Sequence, residues 1–131
     1  MAIFKFTKNI IEGKTIDVYG FGKMTRDFTY VDDTVEAICR LTEQAPPAEA
    51  PFRVVKVGGG QPVGLLDFIA AIETAVGRKA IRHELPMQPG DVPTTYASTA
   101  LLERLIGFKP QTPIGEGVGK FVAWYRDHYR G

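Results

Sequence analysis

The apolar positions of this chain switch between a helical period and an extended one. Ile3, Phe4, Phe6, Ile10 and Ile11 share one broad helical face, and Gly13 can end that helix because glycine tolerates the left-handed cap conformation. Residues 15 to 19 then read as a short strand. After a Gly-rich loop at residues 20–25, the strand formers Phe28, Thr29, Tyr30 and Val31 predict a second strand, and Asp32 or Asp33 can accept a backbone N–H to start a helix over residues 33 to 44. The prolines of residues 45–51 deny that stretch helix or ladder hydrogen bonds and mark it as a surface connection. Residues 52–57 predict a strand that runs through Gly58-Gly59-Gly60 into an amphipathic helix at residues 65–76, closed by Gly77. Residues 79–85 return as a strand with Ile81 and His83 alternating, and residues 86–93 are rich in turn formers. Ser98 is expected to cap a short helix that runs to Leu105 and ends at Gly107. Thr112 is expected to cap the last helix, with Pro113 at its first position and Val118, Phe121, Val122, Trp124 and Tyr125 as its buried stripe.

This alternation, without internal repeats, argues for an α/β fold, or α+β for the segment in isolation. At 131 residues and 44% hydrophobic content the chain can bury one real core, and disorder is not indicated. Lys and Arg (16) nearly balance Asp and Glu (15), so no global field draws it to nucleic acid or an anionic membrane, and anion recognition must be local. No apolar run approaches the length of a membrane span and the N-terminus lacks a signal pattern, so a cytoplasmic address is the expectation. Cys39 stands alone, which excludes an internal disulfide. Its place beside Ile38 and Leu41 predicts a small buried apolar residue. His83 and His128 have no partner at metal-ligand spacing, so a metal site is not expected. His83 should lie on a strand and His128 on an exposed helix face.

The densest candidate chemistry is Arg26-Asp27-Phe28-Thr29-Tyr30-Val31-Asp32-Asp33. A guanidinium at the mouth of a Gly-rich loop can grip a diphosphate with two parallel N–H donors; the plain alternative is a surface Arg neutralised by Asp27 or Asp32. Two other strings imitate catalytic motifs. Tyr19 and Lys23 have the Tyr-x-x-x-Lys spacing of a proton-transfer pair, but the intervening Gly20 and Gly22 each cost a helix about 1 kcal/mol, and without a helix the ammonium does not reach the phenol's face. Residues 58–64 have a G-x-G-x-x-x-G spacing between a predicted strand and helix, with Glu84 further on. Pro62 removes one of the N–H donors that a pyrophosphate would need, which favours a tight turn instead.

Several strings resemble the C-terminal portion of the extended short-chain dehydrogenase/reductase family, the NAD-dependent sugar-nucleotide epimerases and dehydratases. They are Ile16-Asp17-Val18-Tyr19-Gly20, the Arg26 to Asp33 string, Gln88-Pro89-Gly90-Asp91-Val92 and Phe121-Val122-Ala123-Trp124-Tyr125. Leu65-Leu66-Asp67-Phe68-Ile69 and Met87-Gln88-Pro89-Gly90-Asp91-Val92 are most similar to the UDP-glucuronate 4-epimerase branch. The resemblance covers nearly the whole chain. It implies a C-terminal nucleotide-sugar-binding portion over residues 1–131: a substrate-binding subdomain plus the last helix and strand of a Rossmann-like domain. The family's NAD-binding Gly-x-x-Gly-x-x-Gly loop, its Ser or Thr and its Tyr-x-x-x-Lys pair precede the matched region and are expected to be absent here.

For residues, the resemblance implies that Arg26 contacts the diphosphate of a UDP group, that Asp91 accepts from ribose hydroxyls, and that Gln88 stands where many relatives carry a phosphate-binding Arg. Val18 and Tyr19 match the segment lying against the uracil. Without the family, Asp91 reads as a turn-capping residue and Tyr19 as strand packing. For the full-length family the resemblance implies NAD as cofactor and hydride transfer from sugar C4 to NAD and back to the other face. For this chain it implies weak UDP-sugar binding, no tightly bound cofactor, no catalytic residue and no turnover alone. Expected partners are the missing NAD-binding half and a second copy of the chain. The competing expectations are an independent nucleotide-binding module built on residues 58–64, and an interaction fragment that self-associates through residues 52–57.

Overall fold

A computed structural model describes residues 2–44, 46, 48–49 and 52–129. In chain order the elements are α1 (Ala2–Glu12), β1 (Thr15–Tyr19), β2 (Thr25–Arg26), α2 (Val31–Thr42), β3 (Val63–Gly64), α3 (Leu65–Val76), β4 (Ile81–Leu85), α4 (Ala100–Ile106) and α5 (Ile114–His128), with one 3-10 turn at Gly20–Gly22. The mixture of helix and strand is the predicted class. No helix among the described residues is long and apolar enough to cross a membrane.

The chain divides into two compact units, the first comprising Met1–Arg26, Val63–Thr94 and Pro113–Gly131. Here β1 and β4 pair in parallel, with Thr15 opposite Ile81 and Tyr19 opposite Leu85, joined through α3. The alternation of β1 turns Ile16 and Val18 into a core with Ile10 of α1, Phe68, Ile69 and Ile72 of α3, and Val118, Val122 and Tyr125 of α5. Burial pushes the Tyr125 phenol above its ordinary pKa. Two arginines cover orphan carbonyls at helix ends: Arg78 donates to Ile11 O at 3.2 Å and Arg126 donates to Val76 O at 2.7 Å. Gly77 ends α3 at φ +76°, as predicted from its place after the apolar period.

The second unit comprises Asp27–Pro62 and Thr95–Thr112. Its helices α2 and α4 pack together, and Ala37 of α2 and Leu102 of α4 are buried. Polar ties do much of the rest. Asp33 accepts the N–H groups of Gln111 and Thr112 on Oδ2, at 3.0 and 2.9 Å, and the Thr112 hydroxyl on Oδ1 at 2.9 Å.

Several local expectations change. Residues 28–30 belong to no strand, and α2 begins at Val31, with Tyr30 at the cap position but giving no side-chain capping hydrogen bond. Asp32 and Asp33 lie inside the first turn, where Asp33 reaches a distant segment with three donors in place of capping its own helix. Thr112 is engaged by Asp33, so Pro113 itself is the cap residue of α5; Thr99 rather than Ser98 precedes α4. Trp124 is half exposed, stacked on His128 at 5.2 Å, because positions 118, 122 and 125 take the inward stripe. Cys39 is exposed: Ala37 marks the buried side of α2, and a residue two places on lies across the helix. Residues 52–57 form no ladder among the described residues, although their exposure still alternates and Phe52 and Val54 are each about 80% exposed. Of the predicted connection, Ala45, Pro47, Ala50 and Pro51 lie outside the described residues.

Candidate functional site

All five predicted site residues fall in the first unit. Arg26 ends β2, which pairs antiparallel with β3 so that Arg26 faces Val63 across the ladder. On the other side of β2 the Thr25 N–H donates to Pro93 O at 2.9 Å and the Thr25 and Thr94 hydroxyls bond at 3.0 Å. This places the guanidinium against the turn at residues 88–91. Pro89 and Gly90 occupy the middle of that turn, Gly90 at φ +84°, and the Asp91 N–H donates back to Gln88 O at 3.1 Å.

The guanidinium is spread over three acceptors. One nitrogen donates to Thr25 O at 2.9 Å and to Pro93 O at 3.2 Å, and the other meets Asp91 Oδ1 at 3.3 Å. The Arg26 side chain is 25% exposed and that of Asp91 37%. The two residues with the strongest family-implied roles are therefore a partly exposed ion pair separated by 65 positions in sequence. The backbone carbonyls fix the base of the guanidinium, while the Asp91 contact is long for an ion pair and sits where water or a polyol competes. The plain alternative named Asp27 or Asp32 as the neutralising acid, whereas the observed partner is Asp91. Gln88 is exposed in the same turn.

Tyr19 closes β1 half buried, and Val18 is fully buried in the core, so Val18 has only its backbone to offer a ligand. Directly after Tyr19, Gly20, Phe21 and Gly22 have φ of +60°, +51° and +73°. Three successive left-handed residues exclude the right-handed helical turn that a Tyr-x-x-x-Lys pair needs, and Phe21 bears the strain of a side chain in that region. His83 lies opposite Asp17 on the exposed face of the strand pair, its Nδ1 3.1 Å from Oδ1, in a cross-strand pair that the spacing of histidines did not reveal.

Sequence reasoning also missed Asp27, which lies in the second unit. Its Oδ2 accepts the Gly60 N–H at 3.0 Å and the Ala97 N–H at 2.9 Å. The Gly60 donor is thus already used within the chain, and with Pro62 donating nothing, residues 58–64 do not fit a dinucleotide pyrophosphate. Two shallow clefts, of about 300 Å³ beside Arg40, Glu43, Gln44 and Ile106 and about 200 Å³ beside residues 73–79, involve none of the predicted site residues.

Comparison with known proteins agrees with the string resemblance. Residues 1–58 match the NAD dependent epimerase/dehydratase family. A probable UDP-glucuronate 4-epimerase of Rhizobium meliloti is 52% identical over 99% of this chain and 42% of its own length. UDP-glucuronate 4-epimerase 4 of Arabidopsis thaliana is 35% identical over 100% of the chain and 33% of its length. Among solved structures, UDP-glucuronic acid 4-epimerase from Bacillus cereus in complex with UDP-glucuronic acid and NAD superimposes with a TM-score of 0.87 at 26% identity, over 98% of this chain and 40% of that one. The chain spans about two fifths of the length of the bacterial relatives it matches first. The family match thus covers residues 1–58, and over nearly its whole length the chain is similar in sequence and in fold to part of these epimerases.

Proposed function

We propose that this chain is the UDP-sugar-binding part of an NAD-dependent sugar-nucleotide epimerase of the UDP-glucuronate 4-epimerase kind. The observation that carries the reading is the meeting of Arg26, at the end of β2, with Asp91 of the turn at residues 88–91, a cation suited to a diphosphate beside a carboxylate suited to ribose hydroxyls. The similarity to an epimerase solved with UDP-glucuronic acid supports it. In this reading the anionic diphosphate draws the guanidinium from its 3.3 Å contact with Asp91, and the freed carboxylate turns to the ribose. Gln88 adds an uncharged donor from the same turn, and the end of β1 at Val18 and Tyr19 offers backbone groups to the base.

These residues include no Gly-x-x-Gly-x-x-Gly string, and their one Tyr-x-x-x-Lys spacing falls on a left-handed turn. The polypeptide alone therefore binds without turning over, and NAD and the proton-transfer pair belong to a partner half. Binding in isolation is weak, about millimolar, because half a site buries little of the ligand. Titration of UDP, UDP-glucuronate and NAD into the wild type and Arg26→Ala tests this. UDP binding that weakens at least about tenfold in the variant, as loss of a charged hydrogen bond of roughly 1.5–3 kcal/mol requires, supports the reading. Arg26-independent UDP binding, or turnover of UDP-glucuronate by the pure chain, overturns it.

A second reading, self-association, is favoured by the segment at residues 52–57, which joins no ladder among the described residues and has Phe52 and Val54 outward. Under it, sedimentation shows a dimer that Val54→Lys converts to monomer; a monomeric wild type removes this reading.

A further inference from the structure

The glycine triplet at residues 58–60 is wrapped around one side chain of its own unit, that of Asp27. Besides the two N–H bonds to Oδ2, the Asp27 N–H donates to Thr95 Oγ1 at 3.1 Å. Oδ1 is buried and has no hydrogen-bond partner among the described residues. Each glycine answers to a separate constraint. A Cβ on Gly58 would stand 2.6 Å from Ala97 Cβ and 3.2 Å from Asp27 Oδ2, and one on Gly59 would stand 2.9 Å from both Asp27 Oδ1 and Phe28 O. Gly60 has φ +66°, where a side chain is strained.

Backbone N–H groups converging on one oxygen, in a turn stripped of side chains, make a concavity for an oxyanion. We propose that the turn at residues 58–60, with the N–H of Ala97, is a carboxylate-binding site whose resident ligand is Asp27, and that it takes up a small free carboxylate when that side chain is cut back. The spacing that imitates a dinucleotide loop then has a different cause: the glycines admit an internal anion, and in the native chain no room is left for an external one. This inference is independent of the sugar-nucleotide reading, since it involves neither Arg26 nor Asp91.

Asp27→Ala with sodium formate is the direct test, because alanine keeps the Cβ and formate supplies the missing carboxylate. The variant should melt about 5–10 °C below wild type. Formate should recover part of that loss saturably, while sodium chloride at equal ionic strength and formamide, the neutral isostere, should not. In NMR spectra the Gly60 and Ala97 amide protons should move upfield in the variant and return with formate, and neither formate nor NAD should move them in the wild type. Where Asp27→Ala is unfolded, the same titrations followed by circular dichroism serve, with refolding by formate and not by chloride expected. An equal response to formate and chloride in either form, wild-type stability in the variant, or displacement of the wild-type Gly60 amide by NAD would overturn the proposal.

Discussion

The two units reach order by different means. In the first, side chains from three helices and a strand meet in a shared apolar core that includes Phe68, Ile72 and Val122. In the second, Ala37 and Leu102 are the hydrophobic residues that bury fully among the described residues, and two carboxylates, Asp27 and Asp33, gather backbone N–H groups from distant segments. Apolar contacts are tolerant of detail, whereas a partly buried carboxylate that gathers several N–H groups needs each donor in place. The contrast predicts that the first unit depends on side-chain volume and the second on a few named oxygens. It also locates the exposed apolar stripe of Val31, Val35 and Ile38 in the second unit, where little core exists to draw it in.

The largest effect that would test the contrast is Phe68→Ala. Its loss should cost about 3–5 kcal/mol, read by urea unfolding, since the ring is buried and its neighbours on α3 cannot all collapse into the gap. A cost under about 1 kcal/mol would mean that the first unit is not held by its core. Next comes Asp33→Ala, which removes three hydrogen bonds and leaves two backbone donors short of a partner. A loss of roughly 2–3 kcal/mol is expected, with the Gln111 and Thr112 amides exchanging faster while those of α3 keep their protection. Uniform loss of protection in both units would erase the distinction.

The smallest effect concerns pH. In the first unit, bonding from the Lys79 ammonium at 2.7 Å, helped by the Ala80 N–H at 2.9 Å, holds the Glu73 carboxyl below its ordinary value of 4.5. A carboxyl depressed by folding stabilises fully above its unfolded pKa, and that contribution disappears as pH falls through the lower, folded one. Lys79 is 88% exposed, so the pair is worth under about 1 kcal/mol. Glu73→Gln should flatten the acid limb of the stability profile below about pH 5 and change little at neutrality; an unchanged acid limb would dismiss the pair.

Much of the first unit was legible from periodicity, as at Ile10 of α1, Val118 and Val122 of α5 or the Gly77 cap, because the helical period decides which face of a helix turns inward. What failed was wherever a side chain had two possible partners. Asp33 and Thr112 are both good caps by composition, yet they bond each other's segments. Phe52 to Val57 has a strand's composition, but a ladder needs a partner strand, and none is present among the described residues. The Arg26 corner was recognisable as chemistry; its pairing with Asp91, 65 residues away, was not.

By itself the sequence determined the helices, the strands at residues 15–19 and 81–85 and the resemblance to epimerases, since these rest on short-range spacing and on strings of residues. Tertiary structure decided which donor meets which acceptor: Arg26 with Asp91, Asp33 with residue 112, and Asp27 inside the glycine turn. Hydrogen bonds are directional and of short reach, so their pairing depends on how the chain returns upon itself, and no local pattern carries that information.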